Sequence, residues 1–488
     1  MINQQINAHN KGDNMKKIVI YLVLVSFSIS FSQAQFIEDA LRYAGNNHSI
    51  TPRAVGLNIA YIGIADDLNT LISNPAGLAL IAKNEFSFGF GFSHIGNEVE
   101  IFNKKNKLTI NNEYLNHIAF ASPVQISTGI ATVAIGYFKD NNFKNSYDYS
   151  IFNDKSSYIY QQAQAKKRWT FDLLLADING KTNIKDSVRQ ISLVDENGGI
   201  HNITGGFGFD INESVALGLS ITGKWGTFEY FREFSEIDEL NKYRTWQIDD
   251  FNRLDLKEKI KQNVSGITGQ VGILGKIENF MRISFTIKFP TFYSVNENFS
   301  AKHIVTFDPN PQGVVDRFDT TTVGKNSYNI RTPFVYSAGF SVNALGATFS
   351  AGVEYSDVTQ MKFSDATADV QEQFDILNRM IIRNLVGQTT WGFGLEYKFP
   401  ALPLEARASY AKTTSPYQLD IPNANKSTFS LGGSMYLSKS VRIDGVMRWN
   451  NFTEQRTAYG NEENLATFSS YVLKQTPLNI MIGLTYRY

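Results

Sequence analysis

The chain alternates apolar and polar residues with a period of two, over and over. At its end, Leu478, Ile480, Ile482, Leu484, Tyr486 and Tyr488 fall on one face, and Asn479, Met481, Gly483, Thr485 and Arg487 on the other. In a strand, residues i and i+2 share a face. The same pattern recurs where Met281, Ile283, Phe285, Ile287 and Phe289 alternate with Arg282, Ser284, Thr286 and Lys288. It recurs in Val441 to Trp449 against Arg442 to Asn450, and in Val215 to Trp225 against Ser214 to Lys224. Fourteen such segments are expected, at about 85–95, 115–123, 127–138, 203–211, 214–227, 263–276, 280–290, 333–343, 347–358, 389–399, 403–413, 427–437, 440–452 and 475–488. Most are near ten residues, the length a tilted strand needs to cross a bilayer. Strands of soluble sheets average nearer five or six.

The connections sort by length. Asn212-Glu213, Glu278-Asn279, Asn343 to Gly346, Pro400 to Leu402 and Ser438-Lys439 are short turns, while 139–202, 228–262, 291–332, 359–388, 414–426 and 453–474 are long. Strict alternation of short and long links is the asymmetry of periplasmic turns and extracellular loops in an outer-membrane barrel. The expected fold is therefore all-β and transmembrane: a 14-stranded antiparallel outer-membrane β-barrel over 85–488. An even strand count puts both termini on the periplasmic side.

Two segments before the barrel do not alternate. Met15-Lys16-Lys17, the apolar run Ile18 to Phe31, and Ser32-Gln33-Ala34 form a charged region, a hydrophobic region and a cleavage site. That is a signal peptide over 15–34, too short to span as a helix. Residues 35–84 carry a short amphipathic helix (Phe36, Ile37, Ala40, Leu41, Ala44), then Arg53, Gly56, Asp66 and Asp67. A barrel of this size leaves a polar pore unless something fills it, so this segment is expected to be a small hatch or plug in the lumen.

The phrase running from Asp66-Asp67-Leu68 to Asn74-Pro75-Ala76-Gly77-Leu78, just before the first strand, resembles the hatch of the FadL/TodX family. Those proteins are outer-membrane transporters for long-chain fatty acids and other hydrophobic compounds. The resemblance implies a hatch turn at Asn74, Pro75 and Ala76, and a hatch that moves to release ligand. It implies ligand contact near the mature N-terminus, for which Phe36 is the counterpart. It also implies a lateral exit at a kink in the third strand, where Gly129 and Gly136 are the candidates.

Composition adds exclusions. There are no cysteines, and net formal charge is zero, which offers nothing to nucleic acid. Aromatics make up 13% of the chain, the material of interfacial girdles. The six histidines have no zinc-site spacing, and no nucleophile elbow or P-loop is present. No cofactor, metal or catalytic residue is expected. Gly89-Phe90-Gly91, Gly206-Phe207-Gly208 and Gly392-Phe393-Gly394 read as small lumen-facing or packing positions within strands. Lys104-Lys105-Asn106-Lys107 reads as a solvated tip of the first loop.

Within 359–388, Val370, Phe374, Leu377, Ile381 and Leu385 recur at helical spacing. This is read as a loop helix capping the barrel mouth, with Phe374, Leu377 and Ile381 as candidate ligand contacts. Trp225, Phe228, Tyr230, Phe231 and Phe234 are either interfacial aromatics or lining of the outer mouth. The functional expectation is passive uptake of hydrophobic compounds. The expected partners are such a ligand, outer-membrane lipid and lipopolysaccharide, and the barrel-assembly machinery during biogenesis. A non-transporting barrel docking a secretion or surface-display partner is the alternative, and a barrel-wall enzyme the third reading.

Overall fold

The computed structural model describes residues 37–243, 250–278, 280–310, 312–365, 368–459 and 469–488. The signal peptide (15–34) and Phe36 lie outside the described residues.

Strands form where the alternation is, and they are numbered here in chain order: β1 Glu85–Ile101, β2 Lys104–Ile126, β3 Gly129–Asn142, β4 Asn145–Asn153, β5 Val188–Asn212, β6 Val215–Ile237, β7 Phe251–Ile277, β8 Met281–Lys288, β9 Phe292–Phe307, β10 Arg317–Arg331, β11 Val335–Ala344, β12 Ala347–Ser356, β13 Lys362–Ser364, β14 Gln388–Lys398, β15 Leu404–Thr413, β16 Lys426–Tyr436, β17 Val441–Tyr459 and β18 Ser469–Arg487. Fourteen of these close an antiparallel ring, in the order β1, β2, β3, β5, β6, β7, β8, β11, β12, β14, β15, β16, β17, β18 and back to β1. The ring strands are the fourteen expected segments. Closure leaves no unpaired edge within the wall.

The wall is inside out compared with a soluble sheet. On β6, Ser220, Thr222 and Lys224 are buried, whereas Leu219, Ile221 and Trp225 are 48%, 55% and 43% exposed. Apolar side chains face outward because the solvent there is lipid, and polar ones face a lumen that is filled.

Beyond the membrane band the same strands continue and the polarity reverses. On β1 the inward series runs from Ser87 and Ser93 to the buried Ile95, Val99 and Ile101, and the outward series from Phe86 and Phe90 to Glu98 and Glu100. On β7 the outward series passes from Ile273 and Ile267 to Ser265, Lys261 and Lys257, while Val264, Leu256 and Leu254 face in. The barrel thus rises above the bilayer as a water-soluble wall with an apolar core. These tall extensions occupy much of the expected loops 139–202 and 228–262. The expected loop around Lys104 to Lys107 is likewise strand: the turn is Phe102-Asn103, and Lys105 and Lys107 each reach Glu98 at 3.1 Å.

The remaining strands decorate the long-link rim. β4 continues the pairing of β3 with β5, β9 takes over beside upper β7, β10 pairs β9, and β13 pairs β10. Helices α4 (Tyr158–Gln164) and α5 (Arg168–Asp172) enter the mouth, where Tyr158, Ile159 and Trp169 join the core formed by Val99, Phe234 and Leu254. Helix α6 (Ala368–Asn384) packs on the same rim.

Candidate functional site

The candidate site is the N-terminal segment and the wall that encloses it. It comprises α1 (Ile37–Ala44), α2 (Pro52–Leu57), a 3-10 turn at Asn58–Gly63, α3 (Thr70–Ser73) and a second 3-10 turn at Pro75–Leu80. Residues 52–79 are buried almost without exception. Helices this short are not stable alone, so the wall must supply their partners.

It does so by two devices. The first is hydrogen bonding from inward hydroxyls to carbonyls that the short turns leave free. Ser284 Oγ donates to the Ile62 carbonyl (2.6 Å), Ser341 Oγ to Gly63 (2.8 Å) and Ser409 Oγ to Gly56 (2.8 Å). Gln270 Nε2 donates to the Ser73 carbonyl (2.7 Å), and Asn58 Nδ2 reaches Ser409 and Ser430. The second device is absence of side chain. A Cβ on Gly218 or Gly208 would overlap Pro75, one on Gly272 would overlap the Asn74 amide, and one on Gly352 would overlap the Ile59 carbonyl. The glycines of the Gly206-Phe207-Gly208 and Gly392-Phe393-Gly394 phrases face the plug, with Phe207 and Phe393 turned to lipid.

Asn74, Pro75 and Ala76 occupy this glycine seat against β5, β6 and β7. Asn74 Oδ1 accepts from the Ala76 amide (3.1 Å), its Nδ2 donates to the Ile273 carbonyl (3.3 Å), and Pro75 starts the following 3-10 turn. Proline suits that first position, where its missing N–H is not needed. The side chain that caps the turn therefore also ties it to the wall.

Charge holds the other side. Arg53 grips Glu396 of β14 with two hydrogen bonds (2.9 and 2.8 Å) and also meets Asp66 and Asp67. Arg282 of β8 bonds Asp66 (3.0 Å) and the Ile64 carbonyl (2.8 Å). Burial opposes ionisation of Asp66, but Arg53 and Arg282 outweigh it and hold the carboxyl well below the ordinary carboxylate range. Asp67 accepts from Tyr61 Oη (2.6 Å) and the Asn69 amide. Asn69 Oδ1 in turn accepts the Ile50 and Thr51 amides. The plug is thus cross-braced internally and tied to the wall by charges.

Above this, residues 45–51 run up the lumen. Asn46 bridges Glu354 (2.7 Å) and Lys288 (2.6 Å), and Asn47 donates to the Asp140 carbonyl. His48 is pushed down to about 3 by burial and by Arg448, Lys426 and Lys288; its Nδ1 lies 3.7 Å from Glu354.

Helix α1 lies at the long-link rim, opposite the rim where β1 and β18 meet at Glu85 and Arg487. The first described residues and the C-terminal strand thus lie at opposite rims. Ile37, Ala40 and Tyr43 pack on the α6 stripe. Phe374 and Ile381 are fully covered there and Leu377 is half-buried, so protein, not open space, meets these three residues. The aromatics after Trp225 divide by parity: Trp225 faces out, while Phe228, beneath the Arg42 guanidinium, and Phe234 face in.

In the third strand, pairing runs unbroken past Gly136 on both sides, and Gly129 at the strand's start pairs β2, the β5 pairing beginning at Ala131. The irregularity lies further along. Pairing with β2 stops at His117–Phe138, pairing with β5 slips between Lys139 and Asn141, and β3 ends at Asn142 before β4 resumes at Asn145. The kink expected at a glycine is instead at 139–144.

No family model matches the chain, and no curated protein matches it in sequence. Solved structures do. A FadL homologue of Pseudomonas aeruginosa superposes over 88% of this chain and 98% of its own, with a TM-score of 0.57 and 10% identity. The chain has the FadL fold. The Pseudomonas putida toluene transporter TodX (12% identity, 86% of this chain, 94% of its own, TM-score 0.49) and the Ralstonia pickettii toluene transporter TbuX (11%, 86%, 94%, 0.45) overlap less well and add nothing to that assignment. At this identity the likeness establishes architecture and says nothing of cargo.

Sequence reading singled out Arg53, Asp66 and Asp67 without their partners. Glu396, Arg282 and the wall serines escaped it, because nothing in a strand's own pattern says which inward residue meets the plug. The available signal was a charge or glycine on an inward face at mid-strand.

Proposed function

We propose that this protein carries hydrophobic compounds passively across an outer membrane, with the N-terminal plug as its gate. The observation that carries the reading is a closed barrel whose lumen is filled by a non-covalently held segment of the same chain. Its contacts are hydrogen bonds, ion pairs and side-chain-free seats, all of which can open without breaking a covalent bond. Burial of an acyl chain is worth about 0.8 kcal/mol per methylene, enough to offset several such contacts. In this reading the Asn74-Pro75-Ala76 turn is the hinge of the plug, and the stretch of the third strand at 139–144, which still pairs β5 but has lost its β2 partner, is the side exit. Phe374, Leu377 and Ile381 meet ligand only once α1 has left them.

The test is ligand capture by the folded barrel. Offered mixed long-chain fatty acids and hydrocarbons in mild detergent, the protein is expected to retain specific species in native mass spectrometry. Retention should weaken in Asn74→Ala. A well-folded, heat-modifiable barrel that retains no apolar species would sink the proposal. It would favour the second reading, a sealed barrel that docks a protein partner, for which the apolar core closing the mouth around Tyr158, Trp169 and Leu254 speaks.

A further inference from the structure

The outside of a closed barrel is convex and offers lipid little to grip. One place departs from this. Strand β7 pairs with β8 from Gln270 to Ile277 but with β9 from Phe251 to Ile267. The wall therefore forks: β8 continues round the ring to β11, while β9, β10 and β13 turn away. The fork encloses a concave space of about 710 Å³ on the outer face.

Its surface is two cross-strand rows. In one, Ile267 lies opposite Phe292, Phe292 opposite Arg331, and Arg331 opposite Lys362. In the other, Ser265 lies opposite Ser294, Ser294 opposite Asn329, and Asn329 opposite Ser364. Ile267 and Phe292 are 57% and 61% exposed, and Trp225 flanks them. Arg331 and Lys362 are exposed, and neither forms an ion pair among the described residues. Asp365 closes the far end, where it accepts from Asn329 and Ser364.

The height of the rows matters. On β7 the outward residues change from Ile273 and Ile267 to Ser265, Asn263 and Lys261 at this level. The groove therefore straddles the boundary between acyl chains and headgroups, where a tryptophan is also at home. Apolar floor, two cations without an ion pair (Arg331 lends one N–H to the Gln360 carbonyl, 3.4 Å) and a ladder of small hydroxyl and amide groups lie in that order.

We propose that this fork binds a membrane lipid with a net anionic phosphate headgroup, one bearing no cationic substituent, with an acyl chain on Ile267 and Phe292, the phosphate at Arg331 and Lys362, and its polar substituents on the serine row. Guanidinium and ammonium groups are the usual phosphate partners. The inference rests on the membrane-spanning fold and does not depend on what the lumen carries.

The experiment uses the full folded protein in neutral detergent, offered equimolar phosphatidylglycerol, phosphatidylcholine and oleate, with bound species counted by native mass spectrometry. Phosphatidylglycerol is expected to be retained in preference to phosphatidylcholine. That preference should fall about fivefold for each cation removed in Arg331→Gln and Lys362→Gln. Lys257→Gln with Lys259→Gln, higher on the same face, should leave it unchanged. Equal retention of the two phospholipids by the wild-type protein overturns the proposal without any variant. So does oleate displacing the phospholipid at equal concentration, which would make the fork a capture groove for a carboxylate.

Discussion

Arg53 is the residue on which the plug most depends. It is buried, and its guanidinium joins α2 to both Glu396 of the wall and the acidic pair Asp66-Asp67. Removing one member of a buried ionic cluster costs about 3–5 kcal/mol, because the others remain charged and unpaired. Arg53→Met should therefore leave the barrel heat-modifiable while raising single-channel conductance in planar bilayers. Unchanged conductance would show that the glycine seat alone suffices. That seat has its own test. Gly218→Ala drives a methyl into Pro75, and overpacking of this kind costs about 1–3 kcal/mol. A cysteine placed in the 65–77 stretch should then label faster in the variant than in its absence. His48 sets a pH dependence. Its folded-state pKa near 3 lies below the ordinary histidine value, so the unfolded protein binds the extra proton first. Stability contributed by the neutral ring is complete above about pH 6.5 and falls by up to about 1.4 kcal/mol per pH unit toward pH 3. His48→Asn should flatten that part of a pH–stability curve measured by chemical denaturation.

Among the elements, α6 and α1 are the pair whose roles depend on each other. Val370, Phe374, Ile381 and Leu385 make a stripe that a helix must bury, and α1 covers it with Ile37, Ala40 and Tyr43. Phe374→Ala removes the centre of that contact, where Tyr328 and Phe363 also pack. A loss of about 3–5 kcal/mol is expected for a buried phenylalanine. Because the loss falls on the rim and not on the ring, limited proteolysis should cut 359–388 faster while the barrel core stays resistant. Cleavage within the barrel strands instead would mean that the cap and wall unfold together. The helical spacing of the stripe was legible in the chain. Its partner was not, since α1 lies more than three hundred residues away in sequence and nothing local ties the two.

For the whole molecule, the inversion of polarity along unbroken strands defines where lipid ends. Below the level of Ser93 on β1 and Ser265 on β7, apolar residues point outward; above it they point in. The strands lengthen to 25, 23 and 27 residues in β5, β6 and β7, and β6 pairs β7 from Val215 to Ile237 in a single register. A chain lacking residues 37–81, folded to a heat-modifiable barrel, should conduct at the lower end but stay restricted by the apolar core at the mouth. Full open-pore conductance of that variant would show that the upper core is no barrier.

Alternation alone determined the strand count, the antiparallel ring and the inside-out wall. Each of these follows from a local rule: a period of two sends neighbours to opposite faces, and a stretch near ten residues crosses a bilayer. The break in alternation set residues 35–84 apart from the strands, whereas the hatch turn at Asn74-Pro75 was implied by resemblance to a known hatch and not by any local rule. The chain did not reveal the tall extensions, because a soluble wall has the opposite polarity on the same period and reads as loop to an eye set for membrane strands. Nor did it place the kink of the third strand, which sits at Asp140 to Lys144 where Lys224 and Asn47 engage Asp140, and not at a glycine. The ionic clasp of Arg53, Asp66, Arg282 and Glu396 and the fork at β8 and β9 were also decided only by the closed ring, which brings residues hundreds of positions apart into contact.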